Sequence, residues 1–265
     1  MKRTGLLLVL AVVLCQTQFI LAEVVVAPGA QAVTEGSISN FYPFGMDSTN
    51  PLNQGALVSQ RYQQAYDASL FSGYTAPLTI SRIAFRPDIE YGSAFTTTLL
   101  DIQINMSTTP LALGSLTGVF ANNLGSDDMV VVNRGTLTLS SGFTGPAGGP
   151  MDFDIFIDLD TPFTYDPTAG NLLMDVRNYL GQADPSIFPV FDAEFSPEIW
   201  RAWTTNPDVD GVNSPSTSYF GAMGLVTQFT FTQSEDALVI PAPPAVFLGL
   251  LGAVVVTWAH KRRTQ

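Results

Sequence analysis

Residues 151–160 read Met-Asp-Phe-Asp-Ile-Phe-Ile-Asp-Leu-Asp, and their alternation indicates the fold of the central part of the chain. Apolar side chains occupy every odd position, and four of the five even positions are aspartate. Because successive side chains of a β-strand point to opposite faces, this stretch predicts a strand with one buried and one anionic face. We interpret the anionic face as a solvated outer face, since neighbouring carboxylates repel one another unless they are screened. A metal-lined surface is the alternative.

Other stretches on both sides of this one also have strand-like patterns. Further strands are predicted at residues 81–86, 100–106, 129–132, 136–139, 172–179 and 223–231. The third and fourth of these are expected to form a hairpin around Asn133-Arg134-Gly135. Turn residues separate the strands, and no window between the two termini has a helical period. These patterns predict an all-β protein, an antiparallel β-sandwich of the jelly-roll type, in a single domain at residues 23–232.

Charge is distributed unevenly along the chain. All 23 acidic residues lie between Glu23 and Asp236, where the basic residues are six arginines, so this part has a formal charge of −17. We expect it to be repelled by nucleic acid and anionic lipid and to attract divalent cations. The one cysteine, Cys15, and the one histidine, His260, lie in terminal segments. If both segments are removed, Ser-His-Asp and Cys-His catalysis, His-ligated metals and disulfides are excluded, whereas carboxylate chemistry and calcium stay open.

The N-terminus has the layout of a secretory signal peptide, which we assign to residues 1–22. Lys2 and Arg3 precede an apolar run at residues 6–14, and the small residue Ala22 stands before the expected cleavage site. The alternative is a retained N-terminal anchor, for which the apolar run is short. We therefore expect the secretion machinery to be a partner of this chain.

The C-terminus has three parts, which follow an expected linker at residues 233–240. Pro241-Ala242-Pro243 comes first, then an apolar run from Ala245 to Ala259, and then the basic cluster Lys261, Arg262 and Arg263. This order is typical of a sorting tail rather than of a piece of a globular core. A permanent anchor is the alternative, but fifteen helical residues span about 22 Å, less than the roughly 30 Å of a hydrocarbon core.

The tail, residues 241–265, resembles the PEP-CTERM sorting signal of Gram-negative bacteria. Ala242 stands where the usual motif has glutamate, which is similar to a Pro-Ala-Pro variant of that signal. The resemblance implies export behind a signal peptide, transient insertion of the tail into the inner membrane, and cleavage near the proline motif by an exosortase-type protease. It also implies release or attachment outside the cell, commonly in strains that make extracellular polysaccharide. The resemblance supplies no catalytic residue.

Two stretches contain candidate binding residues. Asn206, Asp208 and Asp210 place oxygen side chains at alternate positions before Gly211, as the start of a calcium loop does, and an exposed Asx-rich turn is the alternative. Nearby, Trp200 and Trp203 could contact a glycan, because sugar faces stack on indole rings. Tryptophan in a sandwich is also a common core residue.

Glu194 and Glu198 precede the two tryptophans, and paired carboxylates are the groups that glycoside hydrolases use. Their closeness in sequence is weak support for such chemistry, so we expect a non-enzymatic protein. The sequence predicts an exported surface or extracellular-matrix protein of the cell envelope, with a structural or adhesive role. The alternatives are a carbohydrate-binding module, assisted by calcium or not, that contacts extracellular polysaccharide, and, third, a glycan hydrolase.

Overall fold

The structure is a computed structural model that describes residues 21–45, 59–74, 77–184, 186–206, 211–217 and 219–233. Most of the expected signal peptide lies outside these residues, as do the linker after Gln233, the sorting tail and the two aspartates of the expected calcium loop, Asp208 and Asp210. Within the described ranges, no helix has the length and apolar character needed to cross a membrane.

The described residues form an all-β protein, as predicted, with three short 3-10 helices at Gly29–Ala32, Ala68–Phe71 and Phe120–Asn123. The strands are β1 (Glu23–Ala27), β2 (Ile38–Asn40), β3 (Ser59–Tyr66), β4 (Leu78–Phe85), β5 (Phe95–Thr109), β6 (Met129–Ser141), β7 (Ile155–Tyr165), β8 (Asn171–Asn178), β9 (Phe191–Phe195), β10 (Ile199–Asn206), β11 (Tyr219–Gly221), β12 (Met223–Leu225) and β13 (Thr227–Gln233).

All the strand pairs are antiparallel, and they make three sheets. The first has the order β1-β13-β4-β7, the second β11-β10-β3-β8-β5-β6, and the third β12-β9-β2. Strands far apart in sequence are neighbours in space, since β1 pairs with β13 and β3 with β8.

One hydrophobic core contains side chains from all three sheets. Its largest members are aromatic, and Tyr66 of β3 meets Phe229 of β13 edge-on, with ring centroids 4.8 Å apart. The alternating apolar residues of each strand supply the rest, as Ile155 and Ile157 of β7 do. Burial of this apolar surface is the main stabilising contribution to the fold.

Strand β7 corresponds to the predicted anionic strand but begins later. Residues 152–154 belong to the preceding loop, so the strand starts at Ile155 rather than Met151. The outward carboxylates are exposed: Asp158 pairs with Arg82 of β4 at 2.6 Å, and Asp160 accepts a hydrogen bond from the backbone N–H of Asn133.

The predicted hairpin around residues 133–135 is wrong, because β6 runs without a break from Met129 to Ser141. Irregular register between β5 and β6, where Ile102 faces Gly135 and Ile104 faces Val132, accommodates the turn-like residues inside the strand. Arg134 then projects outwards and pairs with Asp101 of β5 at 2.7 Å.

The long loop at residues 110–128 covers part of the outer face of the six-stranded sheet. Gln63 of β3 donates a hydrogen bond to the Phe120 carbonyl and accepts one from the Asn123 side chain. These buried contacts hold the loop against the sheet and bring Leu113 beside strand β10.

Candidate functional site

Strand β10 positions three large side chains at one end of the six-stranded sheet. It pairs with β3 on one side and with the edge strand β11 on the other. Because strand residues alternate, Arg201 and Trp203 share the face that carries the core residue Ile199, and Trp200 projects from the opposite face. The two tryptophans predicted from the sequence are therefore not on one surface.

Trp200 lies between a small apolar cluster and a cavity. It packs against leucines of the covering loop and against the buried Ala65 and Leu173. A cavity of about 590 Å³ opens beside it, lined by Leu113, Gly114, Phe195, Ser196, Pro197, Trp200 and Ala222. Gly114 has a φ of +63° and approaches the indole ring closely, with Cζ3 3.6 Å from the position that a Cβ would take. The indole nitrogen of Trp200 is buried and has no hydrogen-bond partner.

Trp203 forms an intramolecular aromatic stack. Its ring is stacked with Tyr42 at a centroid distance of 4.4 Å and with Tyr219 at 4.6 Å. Contacts with these two rings and with the main core cover much of the surface of the Trp203 ring. Tyr219 of β11 is the exposed end of the stack.

Three exposed aromatic residues surround this end of the sheet, and we call them the aromatic edge: Phe195, Tyr219 and Phe220. They are 62%, 58% and 63% exposed, and all three line one cavity at the sheet edge, although Tyr219 and Phe220 project from opposite faces of β11. A second cavity of about 220 Å³ lies among them and is also lined by Arg201, Trp203 and Met223. Sequence reasoning missed this group. The adjacent pair Tyr219-Phe220 could have indicated it. Side chains of neighbouring residues in one strand point to opposite faces, so at most one of these two rings can face the core.

Glu194 and Glu198 bind the N-terminal segment of the domain. Glu194 accepts hydrogen bonds from the Ser37 hydroxyl at 2.6 Å and from the side-chain amide of Gln31 at 3.2 Å. Glu198 accepts one from the backbone N–H of Gly29 at 2.8 Å. Both carboxylates therefore have a structural role, because their hydrogen bonds hold the N-terminal segment in place.

A second polar group, which the sequence did not indicate, contains the carboxylates of Glu35, Asp88 and Asp192. One oxygen from each lies within 4.8 Å of the others. The guanidinium of Arg86 donates to Asp192 at 2.7 Å and, through its other nitrogens, to the carbonyls of Gln31 and Thr34. Backbone N–H groups bind each carboxylate, including that of Gly36 at Asp192. The group therefore works as an internal network that attaches the N-terminal segment to the core.

Burial raises the pKa of the Asp192 carboxyl to about 7. The neighbouring Arg86 guanidinium opposes this rise, and the Glu35 carboxylate adds to it. The same carboxylates are the right kind of ligand for a hard cation, but the Arg86 charge in contact with Asp192 competes with any such ion.

The expected calcium loop is described at one residue only. Asn206 ends strand β10, where its backbone pairs with Ser59, and Asp208 and Asp210 lie outside the described residues. Calcium binding by these three residues stays a prediction.

Comparisons with protein-family models, with curated proteins and with solved structures found no match to this chain. The geometry of the described residues and the sequence patterns at the two termini are therefore the observations that bear on function.

Proposed function

We propose that this chain is an exported, non-enzymatic surface or extracellular-matrix protein with a structural or adhesive role. In this proposal its body is a β-sandwich of the jelly-roll type, delivered by the signal peptide at residues 1–22. An exosortase-type protease then processes the tail at residues 241–265. Support comes from the antiparallel sheets around one core and from the order of proline motif, apolar run and basic cluster in the tail.

The aromatic edge is the observation on which the adhesive role depends. Phe195, Tyr219 and Phe220 project from strands of two different sheets, β9 and β11, so their exposure does not come from one frayed end. Exposed aromatic clusters beside cavities are typical of binding surfaces, because each ring buries a large apolar area on contact. The strongly acidic body keeps the chain soluble despite this patch.

Fractionation of producing cells tests this role. In a host that exports the protein, the wild type should be recovered mainly with the cell surface and matrix. The double variant Phe195→Ser/Phe220→Ser should be recovered mainly in the medium. Phe156→Ser is the matched control, since Phe156 is also exposed but lies on β7 of a different sheet. Equal distribution of all three proteins would contradict the adhesive role.

A carbohydrate-binding module is the second candidate, and the cavity beside Trp200 favours it. Its volume of about 590 Å³ is that of a small-molecule site, and aromatic side chains and proline line it. Assistance by calcium at Asn206, Asp208 and Asp210 is part of this candidate. A glycan array, probed with and without chelator, tests it. Absence of binding to every glycan, together with an unchanged melting temperature on adding calcium, would contradict it.

A further inference from the structure

Arg201 differs from the other five arginines that lie between Glu23 and Asp236. The other five each have a carboxylate oxygen within 3.0 Å: Arg61 and Arg177 share Asp175, Arg82 has Asp158, Arg86 has Asp192, and Arg134 has Asp101. Among the described residues, Arg201 has no such partner. Because acidic residues outnumber arginines by 23 to six in this part of the chain, a shortage of carboxylates does not explain the difference.

The strand register leaves open space above Arg201. In the pairing of β10 with β11, Arg201 lies opposite Gly221, which has no side chain. A Cβ added to Gly221 would meet no atom within 4 Å. The gap belongs to the cavity of about 220 Å³, whose lining includes Arg201, Trp203, Tyr219 and Phe220, and none of the described residues that line it is acidic.

The guanidinium of Arg201 has unused hydrogen-bonding capacity. One terminal nitrogen, Nη2, donates to the thioether sulfur of Met223 at 3.2 Å, which is a weak acceptor. The other, Nη1, is buried and has no hydrogen-bond partner. The guanidinium also lies over the Trp203 ring, 5.5 Å from its centroid, and close to the Tyr62 hydroxyl. Among the described residues its contacts are therefore an aromatic ring, a hydroxyl and a thioether, and none of them neutralises its charge as a carboxylate would.

We propose that this cavity binds the carboxylate of a uronic-acid residue in a saccharide. The planar guanidinium matches a carboxylate in two parallel hydrogen bonds, and the exposed ring of Tyr219, on the same face of the sheet as Arg201, offers a surface to the sugar ring. The inference rests on the proposed binding role of the aromatic edge and names its ligand class.

The charge of the body restricts this ligand further. A formal charge of −17 repels a densely charged polyanion, while screening over a Debye length of about 8 Å at physiological ionic strength limits the effect on a single charge. Saccharides with isolated carboxylates, separated by neutral sugars, therefore fit this cavity better than polymers that are charged at every unit.

Calorimetric titration of the full-length protein with two matched ligands tests the proposal. One ligand is a trisaccharide of two glucose units and one glucuronic acid, and the other is its methyl ester, which has a similar shape and no charge. The wild type should bind the acid at least about tenfold more tightly than the ester, as expected for charge-assisted hydrogen bonds. Arg201→Gln should remove this preference, and Arg201→Lys should retain part of it.

Three further variants separate ligand binding from folding. Gly221→Val should fill the space above Arg201 and abolish binding of both ligands, while its Cβ meets no atom of the fold within 4 Å. Gly135→Val is its control, because Gly135 also lies in a strand of the same sheet with open space around it. Arg82→Gln removes one positive charge elsewhere and should preserve the preference for the acid. Melting curves should show all these variants folded.

Several results would overturn the proposal. Equal affinity of the wild type for acid and ester, no measurable binding of either, or an undiminished preference in Arg201→Gln would each do so. Tighter binding of a peptide carboxylate than of the saccharide would show that the ligand is a peptide and not a saccharide. Any of these results could occur while Phe195→Ser/Phe220→Ser is still lost from the cell surface. In that case the carboxylate site is contradicted and the adhesive role is supported.

Discussion

The guanidinium of Arg86 lies 2.6 Å from the carboxylate of Asp192, and both side chains are almost completely excluded from solvent. Arg86 follows the last residue of β4, and Asp192 belongs to β9, so the pair joins the four-stranded sheet to the three-stranded sheet. Arg86 also holds two carbonyls of the N-terminal segment. The ion pair is therefore a junction between three parts of the molecule.

Removing Arg86 from this pair should destabilise the protein strongly. Arg86→Met should lower the free energy of unfolding by about 3–5 kcal/mol, because Asp192 and two backbone carbonyls of the N-terminal segment lose a buried charged donor. Arg82→Met is the control, since the Arg82–Asp158 pair is largely exposed and contributes about 1 kcal/mol at most. Urea denaturation measures both effects, and similar losses at the two sites would contradict the assigned role.

Asp192 should titrate near neutral pH, because burial raises its pKa to about 7. Its pKa in the unfolded chain is about 3.9, so the folded state binds this proton more tightly. The contribution of Asp192 to the free energy of unfolding should therefore be largest below about pH 4 and should fall as the pH rises to about 7.

Carboxyl carbon chemical shifts, followed by NMR through a pH titration, measure this pKa directly. Glu35→Gln should lower the midpoint of Asp192, because the Glu35 carboxylate raises it in the wild type. Glu198→Gln removes the same charge outside the carboxylate group and should leave the midpoint unchanged. A wild-type midpoint at the unfolded value of about 3.9 would show that burial does not dominate at this residue.

The sequence predicted those strands whose side chains alternate along their whole length. Ile155 and Ile157 of β7, or Phe229 and Phe231 of β13, identify a buried face without knowledge of any partner strand. The prediction of a hairpin at residues 133–135 was wrong. These turn-like residues lie inside strand β6, where the irregular register between β5 and β6 accommodates them. That register depends on tertiary pairing, which a local pattern does not contain.

The candidate sites were harder to predict for a related reason. Arg86 and Asp192 are 106 positions apart, and the gap above Arg201 depends on its pairing with Gly221 across two strands. Trp200 was identified from its residue type, but the cavity beside it requires the covering loop that carries Leu113. Contacts of this kind arise only once the sheets are assembled.

Gly36 should tolerate no side chain. A Cβ at this position would overlap the Ala193 carbonyl and the Asp192 carboxylate, so Gly36→Ala should lower the free energy of unfolding by about 1–3 kcal/mol. Gly135→Ala is the matched control, because open space surrounds Gly135 and its effect should be small. Equal stability of the two variants in thermal melts would contradict the close approach of Gly36 to strand β9.

The tail should be removed during export. In a host with an exosortase, the mature protein should have the mass of a chain that begins near Glu23 and ends near Pro241. A Pro241→Ala/Pro243→Ala variant should retain its C-terminus, because the proline motif is disrupted. Intact-mass spectrometry decides between these forms, and recovery of the wild type with all residues to Gln265 would remove the sorting interpretation.

Direct binding to isolated extracellular matrix tests the central claim, that the aromatic edge is the adhesive surface. Matrix from the exporting strain, depleted of this protein, is immobilised on a sensor surface and exposed to the secreted wild type, to Phe195→Ser/Phe220→Ser and to Phe156→Ser. The wild type and Phe156→Ser should bind alike, and the double variant should bind at least about tenfold more weakly, since buried aromatic side chains dominate such contacts. Equal binding of all three folded proteins would contradict the account.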